Sequence, residues 1–248
     1  MSLPTFDPFE AIAAHSAGFA EAATGNLGAD VEFCPGWTVE DLVRHLIEVH
    51  WFWATIAGER LAAPPEKERR PDPGPPEQLI GTFQAGAERL VKVLSAADGH
   101  DRVWTWAPAQ QDVGFITRHQ VQEAAVHHWD AVHATGGALV IAGPVGADAI
   151  AEFLTFSVSS DADPAEPVRP ALGGRFALRC SDLDASWTIS DGSSPGTIDH
   201  AETAGADVPA ITATASDLLL WLYDRVDVDT DPVPSDLLGR FRALLFTD

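Results

Sequence analysis

The sequence predicts an all-α four-helix bundle over residues 1–142, followed by a smaller α+β domain over residues 143–248. Three observations predict it. Four segments ahead of Gly136 repeat apolar residues at helical spacing, with no convincing strand among them. After Gly143-Pro144 the pattern changes to one helix, short β-like runs bounded by turn residues, and two closing helices. The composition, 46% hydrophobic and 21% charged over 248 residues, is that of a globular chain long enough for two such domains.

The first helix is expected over residues 7–23, with Phe9, Ile12, Ala13 and Phe19 on its apolar face. A turn-rich segment follows and ends in Cys34-Pro35-Gly36-Trp37. Thr38 is a good N-cap and Asp41 stands three residues on, so a capping-box-like start opens the second helix, residues 39–57. There Leu42, Val49, Phe52 and Ile56 form a 3/4-spaced stripe that His45 completes, which faces His45 toward the core and leaves His50 peripheral. An imidazole in an apolar seam needs a partner, because an unsatisfied buried polar group costs about 1–3 kcal/mol. That partner is ordinarily a carbonyl or hydroxyl, and less often a metal. Six prolines between Pro64 and Pro76 keep residues 58–76 a loop. A third helix is expected over residues 77–97, then an aromatic connector, Val103-Trp104-Thr105-Trp106. The fourth helix, residues 116–134, stops at Gly136-Gly137. The second domain is expected to hold a helix over residues 146–159 and a Pro- and Asp-rich loop. Strands follow over residues 175–180, 185–190 and 210–214, then a helix capped by Ser216 and a last helix over residues 235–246.

The fourth helix carries the chemistry. Glu123 and His127 are four residues apart, so they project from nearly the same side of the helix, one turn apart. Alone, such a pair reads as a solvated face. With His45 offered inward from the second helix it becomes a candidate three-ligand site: two imidazoles and one carboxylate, suited to Zn²⁺ or another divalent first-row metal, with one coordination position open. Asp130 and Gln120 are candidates to orient an imidazole, and Arg118 to meet an anionic substrate. His119, His128 and His133 scatter round the helix and are not expected to be ligands. Cys34 is weighed as a functional thiol and read as a small packed side chain.

The net charge of −22, from 15 basic and 37 acidic residues, argues against nucleic acid and anionic membrane surfaces as partners. No segment approaches a membrane span, the N-terminus lacks a secretory pattern, and two distant cysteines make no disulfide framework, so cytoplasmic residence is expected.

The stretch from Cys34-Pro-Gly-Trp-Thr-Val to His45, the Val-Trp-Thr-Trp106 connector, and the run from Arg118 through Glu123-Ala-Ala-Val-His127-His-Trp-Asp130 together resemble the mycothiol-dependent maleylpyruvate isomerase family. That family belongs to the DinB-like metal-binding four-helix bundles. The run from Ile211 to Trp221 is similar to its sterol-carrier-like second domain. The resemblance implies a divalent metal, zinc first among candidates, on His45, Glu123 and His127, with mycothiol as thiol co-substrate. It implies that a metal-bound thiolate adds to a small electrophile, in S-transfer or cis-trans isomerisation. Two other readings compete: a non-catalytic, metal-stabilised binding module that holds an apolar ligand or a protein partner, and a metal-dependent hydrolase.

Overall fold

The computed structural model describes residues 5–158, 170–194, 196–203, 205 and 207–246. Phe6–Val140 forms one compact unit, and the chain from Ile141 onward another.

The first unit holds α1 (Pro8–Ala23), α2 (Val39–Glu59), α3 (Pro76–Ala96) and α4 (Val113–Ala134). Each starts for a local reason. Asp7 accepts from the backbone N–H groups of Phe9 and Glu10, with Pro8 in the first turn of α1. Thr38 and Asp41 form a reciprocal capping box at α2. Asp112 caps α4 by accepting from Phe115 N, so that helix begins one turn earlier than residue 116. Its end is fixed at Gly136, where φ is 76°, and by Gly137 N–H donating to the Val132 carbonyl. Between α2 and α3 the proline-rich segment makes only one 3-10 turn, Lys67–Arg69.

α1 packs on α3 and α4, and α2 packs on α3 and α4, which closes a ring of four helices. The core includes Phe19, Leu42, Val43, Leu46, Ile47, Leu79 and Phe83. One sequence expectation is reversed in α2. The buried stripe runs through Leu42, Val43, Leu46, Ile47, His50 and Trp53, so His50 is a core residue, 3% exposed. The His45 side chain is 34% exposed at the flank. Both stripes are legitimate 3/4 series in a helix this apolar, and the neighbouring helices choose between them.

The second unit holds α5 (Gly143–Phe156), β1 (Arg175–Cys180), β2 (Ser186–Asp191), β3 (Ile198–Ala201), β4 (Ala210–Ala213), α6 (Ala215–Leu222) and α7 (Ser235–Arg242). The sheet order is β3-β2-β1-β4, antiparallel except for the parallel β1–β4 pair. α6 packs on α5, β1 and β4, around fully buried Trp187, Phe153, Phe176 and Phe241. β3 escaped the sequence reading because Ile198-Asp-His-Ala201 has one buried apolar position and no alternation. Gly143-Pro144 is the first turn of α5 rather than a break before it, since proline is tolerated there. Thr214, not Ser216, caps α6, and the Ser216 hydroxyl accepts from Ile141 N instead. Residue 159, the Pro- and Asp-rich segment to residue 169, and the first four residues lie outside the described residues. No described helix is long and apolar enough to cross a membrane.

Candidate metal centre

α4 is buried on almost every side, and it carries polar residues into that burial: His119, Gln120, Gln122 and Asp130 are all at most 5% exposed. Such groups are costly unless paired or functional. The pairing converges on Glu123. His45 Nε2 lies 3.1 Å from Glu123 Oε1, and His127 Nε2 lies 3.5 Å from the same oxygen. The two imidazoles stand edge to face, with centroids 5.4 Å apart. One ligand atom from each of His45, Glu123 and His127 falls within 4.8 Å of the other two.

The other nitrogen of His127 fixes its tautomer. Nδ1 is 3.0 Å from Asp130 Oδ2, on a side chain with no exposure, so the Nδ1–H points to Asp130 and Nε2 faces Glu123. Burial opposes charge on His127, yet Glu123 and Asp130 outweigh it and push the pKa up to about 10. Burial likewise works against ionised Glu123. The charge on His127, hydrogen bonds from His127 and His45, and nearby His119 hold that carboxyl well below its usual range. The bundle therefore keeps a carboxylate ionised inside the protein between two imidazoles.

The donor set fits a divalent cation. Two nitrogens and one carboxylate oxygen already approach one point, the carboxylate is charged, and Asp130 orients His127 so that Nε2, whose proton a cation would displace, faces that point. His45 forms the outer wall. Trp37 stands edge-on to its ring at 5.3 Å, and a pocket of about 420 Å³ opens from His45 past Asp41, Arg44, Glu48, Arg70 and Pro73.

The remaining candidates divide. Asp130 joins the centre through His127. Gln120 is 1% exposed, and its Nε2 finds no partner among the described residues. Arg118 is half-buried on α4 and does not line the pocket beside His45. His119 sits among Phe115, Trp53 and Trp106, close enough to act on Glu123 electrostatically. His128 meets His15 across α1, Nδ1 to Nδ1 at 3.1 Å. His133 stacks on Trp129 and bonds Glu32 at 2.8 Å. The residue the sequence reading undervalued is Cys34, whose sulfur lies within 4.8 Å of ligand atoms of His127 and Asp130. Its only signal in the sequence was its place just ahead of α2.

A four-helix bundle that brings two histidines and a carboxylate from facing helices to one interior point defines the class: a helical bundle built around a candidate metal centre. The sequence profile of the mycothiol maleylpyruvate isomerase N-terminal domain matches residues 9–132, half of the chain, and the chain belongs to that family. The family implies a mycothiol-related, metal-binding function. A search among curated proteins finds no match to the chain.

Proposed function

We propose that the protein is a mycothiol-dependent metalloenzyme that joins a low-molecular-weight thiol to a small electrophile, by S-transfer or by addition and release in cis-trans isomerisation. The observation that carries this reading is the single point shared by His45 Nε2, Glu123 Oε1 and His127 Nε2, beside a pocket that opens to solvent. His45, Glu123 and His127 would hold the ion. A divalent ion bound there, zinc being the best match to the donor set, lowers the pKa of a thiol brought to it. Asp130 holds the His127 ring proton on Nδ1 and keeps Nε2 directed inward. Glu123 supplies the negative charge that offsets the cation. The pocket wall offers donors and acceptors for a polar thiol: Arg44, Asp41, Glu48 and Arg70 lie around it, and Trp37 shields one side of His45. A cytoplasmic setting belongs to the same reading, supported by two cysteines that form no disulfide.

The test is mycothiol binding by calorimetry to metal-loaded and metal-stripped protein, followed by product analysis with small electrophiles. Binding that requires the metal, with the thiol retained in the product for a transferase or returned for an isomerase, supports the reading. Binding indifferent to metal removal defeats it, and turnover of esters or amides without thiol would replace it with a hydrolase.

A further inference from the structure

We propose that Cys34, His127 and Asp130 form a second divalent-metal site, selective for thiophilic cations, on the opposite side of the His127 ring from the first. One ligand atom from each of the three residues lies within 4.8 Å of the others. Thiolate, imidazole and carboxylate together are a zinc-type donor set, softer than the His–Glu–His set beside it. The two sets draw on different faces of one residue: His127 Nδ1 is 3.0 Å from Asp130, while Nε2 is 3.5 Å from Glu123.

The sulfur is held where it is by the loop that carries it. Val31 N–H donates to the Trp37 carbonyl, Cys34 N–H to the Val31 carbonyl, and Trp37 N–H to the Cys34 carbonyl. Gly36, at φ 85°, makes the tight return that a side chain would strain. Two further contacts clamp the loop to α4. Glu32 bonds His133 at 2.8 Å, and Phe33 packs on Trp129 with centroids 5.7 Å apart. Asp130 is 1% exposed and Cys34 is half-buried, so the site combines an enclosed carboxylate with a partly enclosed cysteine. A cation entering it takes the place of the His127 ring proton now directed to Asp130. The inference needs no thiol co-substrate and stands or falls apart from the thiol chemistry proposed above.

Co²⁺ is the probe, because a cobalt–thiolate bond gives a near-ultraviolet charge-transfer band that nitrogen and oxygen ligands do not. The full chain, with no mycothiol added, is titrated with Co²⁺ as wild type, Glu123→Gln, Cys34→Ser and Asp130→Asn. The expected result is a thiolate band in wild type and Glu123→Gln, absent in Cys34→Ser and requiring at least about tenfold more Co²⁺ in Asp130→Asn. Asp130→Asn keeps a hydrogen-bond acceptor for His127, and circular dichroism on each variant checks that it is folded. Absence of the band in wild type at saturating Co²⁺, or its survival in Cys34→Ser, which assigns it to Cys180, overturns the proposal.

Discussion

The two units differ in how densely they bury polar groups within helices. In the second, the buried polar side chains include Thr197 and Ser216, which serve a turn and a backbone N–H, and the interior is filled by Phe153, Phe176, Trp187 and Phe241. Two residues depart from that: Glu152, 1% exposed in the middle of α5, and Trp187, whose indole nitrogen has no partner among the described residues. In the first, buried polar residues sit in the middle of helices: His50 on α2, and His119, Gln120, Gln122 and Asp130 on α4. Stability alone would favour apolar residues at such positions. The clustering of four such residues on α4, against the one Glu152 on α5, points to the first unit as the one whose interior is arranged for chemistry.

That contrast can be broken. The largest effect is expected from His127→Ala, which removes a donor common to both clusters and should leave the protein without stoichiometric metal by elemental analysis. Metal retained in that variant would remove the first unit's claim to a site. Next is Phe241→Ala in the second unit. The ring is fully buried, edge to face with Phe176 at 5.0 Å, so its loss should cost about 3–5 kcal/mol in denaturant unfolding with metal per folded chain unchanged. A smaller effect belongs to Asp130→Ala, which frees the His127 tautomer and should weaken metal affinity about 10- to 100-fold in a chelator competition.

The smallest is a pH effect. Burial, with a lesser contribution from His45, holds the His50 pKa down at about 4, against the opposing pull of Glu123 and the Phe83 backbone. In the unfolded chain this group takes up its proton near the ordinary imidazole value of 6.5, so the folded state binds fewer protons between those values. Its contribution to stability is present above pH 6.5 and is lost as pH falls toward 4. Melting temperature should therefore fall over that window, and His50→Leu should flatten the slope. An unchanged slope would mean that other groups govern acid sensitivity.

Much of the candidate site was legible because helices expose their own geometry. Glu123 and His127 share a face by periodicity alone, and the Thr38–Asp41 box fixed the start of α2 within a residue. The face that His45 presents was not legible. α2 is apolar enough for two stripes, and the sequence reading chose the one that exchanged the places of His45 and His50. His45 reaches Glu123 from the flank of α2, not from its buried seam.

By itself, the sequence determined the helices, their caps and the ligand types, since these depend on interactions within a few residues of chain. Only the tertiary structure decided that His45 reaches Glu123, how deeply Glu123 and Asp130 are enclosed, and that the Cys34 loop folds onto α4. Those depend on contacts between segments about 80 to 100 residues apart in sequence, which no local pattern encodes.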